Sequence, residues 1–157
     1  MIGDEKNMKI LYARILLVLV GLAPLLLVPV ARAAASLEMS GDLILIGDPT
    51  IRGSFEARAI GDPTLLVGTG KFETPTMTIL FSFTGNIIGD PNDRAVVTIS
   101  GAVTQSNDPT LLRIPVTVNG LVEPDTTQIF LTLGAVGDPN QKTFVGAGLI
   151  SIEANGR

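Results

Sequence analysis

A five-residue turn word recurs along this chain and limits its possible folds more than any other feature. Ile46-Gly47-Asp48-Pro49-Thr50 returns as Ile60-Gly61-Asp62-Pro63-Thr64, Ile88-Gly89-Asp90-Pro91-Asn92, Ser106-Asn107-Asp108-Pro109-Thr110 and Val136-Gly137-Asp138-Pro139-Asn140. The proline holds φ at about −65° and suits the first corner of a β-turn. The aspartate before it is driven toward extended geometry, and its carboxylate can hydrogen-bond the turn backbone. Each copy is flanked by apolar runs, so each ends one strand and begins another. The aspartates are spaced 14, 28, 18 and 30 residues apart, and similarity between copies stops a few residues beyond the turn. Solenoids and propellers repeat a whole structural unit; here one turn is used independently five times.

Between the turns the chain reads with period two. Ile51, Gly53, Phe55, Ala57 and Ala59 alternate with Arg52, Ser54, Glu56 and Arg58, and Met77, Ile79, Phe81 and Phe83 alternate with Thr76, Thr78, Ser82 and Thr84. This is the pattern of strands with one wet face. Similar alternation runs through 97–104, 112–119 and 129–133; with 37–46, 65–72 and 144–152 the expected total is about eight strands. No window carries a capped amphipathic helix, and glycine, threonine and β-branched residues abound. The expected fold is all-β: a single sandwich with jelly-roll or Greek-key connections, or alternatively an up-and-down barrel. Short turns favour pairing between sequence neighbours. Pro115, read as lying inside a strand, asks for an edge or a bulge and tilts the choice to the sandwich.

Residues 1–35 read as a secretory leader and 36–157 as the all-β domain. Lys9 and Arg14 precede an apolar run from Ile15 to Val30, short for a spanning helix and broken by Gly21, Pro24 and Pro29. Ala31-Arg32-Ala33-Ala34-Ala35 follows, a small-residue pattern that fits cleavage after Ala33 or Ala35. Asp4 and Glu5 are unusual ahead of such a run, which makes Met8 an alternative start to Met1. Residues 36–157 carry seven basic and thirteen acidic side chains, a net charge of −6. Nucleic acid and anionic membrane are poor partners for such a surface. With no cysteine, stability rests on packing alone. The polar C-terminus offers no anchor, so a secreted or cell-surface location without a stable membrane anchor is expected.

The residues missing from the chain close off much chemistry. No histidine or cysteine is present, so Ser-His-Asp and Cys-His nucleophiles and imidazole or thiolate metal sites are excluded. Glycosidase-like acids could be drawn only from Glu56, Glu73, Glu123 and Asp125, whose pairing depends on distance in space. After the leader no tryptophan or tyrosine remains, and no enzymatic function or cofactor is expected. Asp90, Asn92 and Asp93 place oxygen donors close together, as a calcium loop would; but calcium takes six to eight oxygens, and in a meander the five turn words divide between the two ends. Ordinary turn chemistry is the preferred account.

Two function classes remain. Leu37, Met39, Leu43, Ile44, Leu45 and Ile46 form a strand with apolar residues on both faces just behind the cleavage site, a segment suited to completing the sheet of a neighbouring subunit. Self-association is the expected partnership, and the expected function is a structural or adhesive extracellular domain, as in a filament subunit built by strand exchange. Gly47-Asp48-Pro49-Thr50 is also short enough to fold that strand back onto the next one. The alternative is a carrier whose phenylalanines, at 55, 72, 81, 83, 130 and 144, line an apolar cavity.

Overall fold

The computed structural model describes residues 34–155. Eight antiparallel strands follow one another: β1 (Ala34–Leu45), β2 (Asp48–Asp62), β3 (Leu65–Glu73), β4 (Thr78–Gly89), β5 (Ala95–Ser106), β6 (Pro115–Val122), β7 (Thr127–Leu133) and β8 (Lys142–Asn155). Each pairs with its sequence neighbour, and β1 pairs with β8, so the sheet closes into an up-and-down barrel. The sandwich expectation is thereby corrected in favour of its alternative. The physical reason lies at Pro115, which is the first residue of β6, opposite Ala102. Proline is tolerated at a strand's first position, so it needs no free edge. Leu112 and Ile114, expected in the strand, instead belong to the connection. There a 3₁₀ turn, Pro109–Leu111, leads to Arg113 in the left-handed region at φ 65°.

The turn words work as their chemistry requires. In all five, the aspartate Oδ1 accepts the backbone N–H two residues on: Thr50 at 3.1 Å, Thr64, Asn92 and Thr110 at 2.9 Å, and Asn140 at 2.8 Å. Where threonine follows the proline, its hydroxyl donates to the same oxygen at 2.5–2.7 Å. The preceding glycine has its own role. Gly47 at φ 95° and Gly89 at φ 102° occupy a region that a Cβ would oppose. In the first copy the chain reverses at Ile46–Gly47, and residues 49–51 bulge out of β2, since Leu45 pairs with Asp48 while Ile44 pairs with Arg52. The meander sets the Asp48, Asp108 and Asp138 words on one rim. Those of Asp62 and Asp90 lie on the other, with Ala34 and Asn155.

An eight-stranded barrel has an interior just wide enough for side chains to fill, and here apolar ones fill it. Leu37, Met39, Leu43, Phe55, Phe72, Phe81, Ile99, Val118, Leu131 and Phe144 belong to one buried cluster. Phe55 and Phe81 stack at 6.3 Å, and Phe72 and Phe144 meet tilted at 4.6 Å. Inward-facing glycines make this possible: a Cβ at Gly53 would lie 2.7 Å from the Phe72 ring, and one at Gly70 would overlap the ring of Phe81. Among the described residues Thr74 is the one buried polar side chain, and its hydroxyl accepts from the Met77 N–H at 3.0 Å in the β3–β4 turn.

Candidate functional surface

With the interior filled, chemistry is left to the outer wall and the rims. Closure turns alternate residues of every strand outward, and the wall divides into two unlike parts. β1–β3 carry Glu38, Asp42, Asp48, Arg52, Glu56, Arg58, Asp62, Lys71 and Glu73. Strands β4–β7 contain no charged residue, and β8 only Lys142 and Glu153 near its ends. The charges between Thr76 and Leu133 all fall in connections: Asp90, Asp93, Arg94, Asp108, Arg113, Glu123 and Asp125.

On the charged part, cross-strand register opposes unlike charges. Glu38 faces Arg58, with Oε1 and Nε 3.6 Å apart, and Glu56 faces Lys71. Lys71 also forms an ion pair with Glu73. Its ammonium donates to Glu73 and attracts it, and so holds that carboxyl below the usual range; the same contact raises Lys71. A groove of about 460 Å³ runs over β2–β5 here, bordered by Glu56, Arg58, Thr69, Lys71, Leu80 and Gln105. Thr104, which also borders it, bulges out of β5, since Leu80 pairs with Gln105 while Phe81 pairs with Val103.

The uncharged part has its own order. Register brings Thr84 opposite Ser100, Ser100 opposite Thr117, Thr117 opposite Thr132 and Thr132 opposite Thr143. Five hydroxyl residues thus form one row across five strands, and the last two hydroxyls are 3.3 Å apart. A parallel row holds Asn86, Thr98, Asn119, Phe130 and Val145. Phe130 is the one phenylalanine on the outer face; the other five are core.

The residues singled out from the sequence scatter. Glu56 and Glu73 lie on the charged wall beside Lys71, whereas Glu123 and Asp125 occupy the β6–β7 turn on the opposite rim, Glu123 3.9 Å from Arg94. The lowered carboxyl of Glu73 is the reverse of what a general acid needs. Asp90 and Asn92 are turned on each other: Asp90 Oδ1 accepts from the Asn92 N–H at 2.9 Å and its side-chain amide at 3.3 Å. Asp93 donates its N–H to the Asp90 carbonyl at 3.1 Å, closing the turn. In the strand marked out for assembly, Leu37, Met39 and Leu43 are buried in the barrel, Leu45 packs against the core, and Ile44 and Ile46 are exposed. Both edges of that strand are hydrogen-bonded within the chain, to β2 and to β8.

The uncharged wall is what reading the sequence missed. Its signal lies in the position of the charges along the sequence and not in their sum. Fold and surface together define a small closed up-and-down barrel with an apolar interior and a mixed outer wall, where polar residues alternate with exposed apolar ones such as Ile60, Val67, Ile88, Val96 and Leu149. Compared with protein-family models, curated proteins and solved structures, the chain matches none of them.

Proposed function

We propose that the chain is an exported, non-enzymatic structural or adhesive domain that associates with further copies of itself through the uncharged wall of β4–β8. The observation that carries this reading is the segregation of charge. Two copies of net charge −6 repel, and they meet at least electrostatic cost where neither presents a charge. Hydroxyls both donate and accept, so the row from Thr84 to Thr143 can pair with itself across a twofold axis, as an isologous contact demands. The filled interior supports a role carried by the outside, and gives the carrier alternative little room. A filled apolar interior under a wall that carries charges and a hydroxyl row differs from a membrane-spanning barrel, whose lumen is polar. Because β1 is held on both edges, wall-to-wall contact needs no opening of the fold, whereas exchange of β1 does.

Sedimentation of the mature domain over a concentration series tests the proposal. The wild type should form dimers or larger species, and salt should strengthen them by screening the net repulsion. A Ser100→Glu/Thr117→Glu variant, with unchanged circular dichroism, should stay monomeric. A wild type that is monomeric throughout, or association that salt weakens, overturns it.

A further inference from the structure

We propose that the Asp138–Pro139 bond is a self-cleavage site, cut in mild acid by the carboxyl of Asp138 itself, and that the cut unties β8 from β7. Proline has no N–H, so its nitrogen cannot attack the aspartate side chain before it. The carboxylate can instead attack the aspartate's own carbonyl carbon, as carboxylates do in covalent catalysis. Two conditions favour that step: a carboxylate with few hydrogen bonds to hold it, and a donor on the carbonyl oxygen that becomes the oxyanion. The five turn words differ on both. Asp48 and Asp62 belong to β2, and Oδ1 of each accepts both the N–H and the hydroxyl of the threonine two residues on. In the other three words the aspartate carbonyl accepts an N–H three residues on, from Asp93 and Leu111 at 3.1 Å and from Gln141 at 3.0 Å. Asp108 Oδ1 is held by the Thr110 N–H and hydroxyl, and Asp90 Oδ1 by the Asn92 N–H and side-chain amide. The Asp138 carboxylate accepts only the Asn140 N–H, at 2.8 Å. Asp138 alone combines a donor on its carbonyl with a single hydrogen bond to its carboxylate.

The surroundings leave the step room. Residues 135–140, between β7 and β8, are exposed, and no heavy atom stands within 4 Å of the place a Gly137 Cβ would take. Neighbouring connections bring Asp48, Asp108 and Arg113 to the same rim, with Lys142 at the start of β8, and no ion pair ties Asp138 to either cation. Oδ2 of Asp138 bonds to the Asp138 carbonyl carbon, and the carbonyl electron pair moves onto the oxygen that faces the Gln141 N–H. When that pair returns, the C–N bond to Pro139 breaks, and the proline nitrogen takes a proton from the acid medium and leaves as a secondary amine. Water then opens the cyclic anhydride, which restores the side-chain carboxyl and leaves a new chain end at Asp138. The net reaction is hydrolysis of one peptide bond by one water. After the cut β8 keeps its ladders to β7 and β1 but not its covalent link to β7. Its departure opens an edge on each of those strands, so β8 can be exchanged between copies.

The test follows the full-length chain in detergent micelles by intact mass, at the lowest pH that leaves its circular dichroism unchanged. The folded protein should yield fragments ending at Asp138 and beginning at Pro139 about fivefold faster than it is cut at any other Asp-Pro bond, the equivalent of one ordinary hydrogen bond. In urea at the same pH the five bonds should be cut at similar rates. Asn140→Thr should slow the folded cut about fivefold by adding a hydroxyl to the carboxylate, and Thr110→Val should speed the cut after Asp108. Asp138→Asn should abolish the cut at its own position alone. Protein cut after Asp138 should take up a labelled 139–157 peptide, and uncut protein should not. A folded chain that is cut equally at several bonds, first at another bond, or not at all while the urea sample is cut, overturns the site. Cut protein that takes up no peptide overturns the release of β8.

Discussion

Replacing Gly70 by alanine sets a methyl group against the ring of Phe81 and turns the packing argument into a number. Gly70 pairs with Phe81 across β3–β4, and the atoms a Cβ would meet are Cζ, Cε1 and Cε2 of that ring. The glycine has no left-handed φ, so only space is at stake. Overpacking a filled core costs about 1–3 kcal/mol, and restricting the unfolded chain returns about 0.4–1 kcal/mol. The net loss for Gly70→Ala should be about 1–2 kcal/mol. Phe81→Leu should cost about 2 kcal/mol, less than the ~3–5 kcal/mol of truncation to alanine. Leucine has none of the three clashing atoms, so adding Gly70→Ala to Phe81→Leu should cost close to nothing. The double variant should therefore be about 1–2 kcal/mol more stable than the sum of the single changes, which is about 4–8 °C in Tm for a domain of this size. Guanidinium denaturation of the four proteins, with m unchanged, measures this. Additivity within about 0.5 kcal/mol would refute the account of the inward glycines as room for aromatic rings.

Other outcomes follow from the turns and the charged wall. The Thr50 and Thr110 hydroxyls, and then the backbone N–H groups of the same residues, hold Asp48 and Asp108 below the usual carboxylate range. A depressed carboxyl stabilises the fold above its unfolded pKa and loses that contribution as pH falls through the folded value. Thr50→Val and Thr110→Val should therefore raise both pKa values in a carboxyl NMR titration and flatten the loss of stability below about pH 4. For Lys71 and Glu73 the contribution fades as acid titrates the lowered Glu73 and as base titrates the raised Lys71. Lys71→Met should thus lower Tm slightly near neutrality and leave it unchanged at either extreme; a uniform shift across pH would contradict the ion pair. Pro63→Ala and Pro109→Ala should each cost under about 1 kcal/mol, acting through the unfolded chain. Melts in calcium and in chelator should coincide, and a difference of many degrees would make the Asp90 turn a metal site.

The sequence by itself determined the strands, because period two and the Asp-Pro turns are local facts of chain geometry. All eight strands were legible from residues such as Phe55, Ile79 and Val97 alternating with polar neighbours, and so was the division of the turn words between two ends. Closure was not legible. Whether β1 meets β8 depends on shear accumulated over eight registers, and on glycines such as Gly70 whose value shows only against a ring on the next strand. Pro115 misled for the same reason: three residues of boundary, a start at 115 and not at 112, separate a disfavoured interior position from a permitted first one. The site followed the fold. The charge-free stretches were already written between Thr78 and Leu133, but a row running from Thr84 through Ser100, Thr117 and Thr132 to Thr143 exists only after pairing aligns residues up to 59 apart in the chain. Likewise the apolar residues of β1 suited a neighbour's groove and its own barrel equally well. The pairing of β1 on both edges, with β2 and with β8, became visible only in the closed barrel.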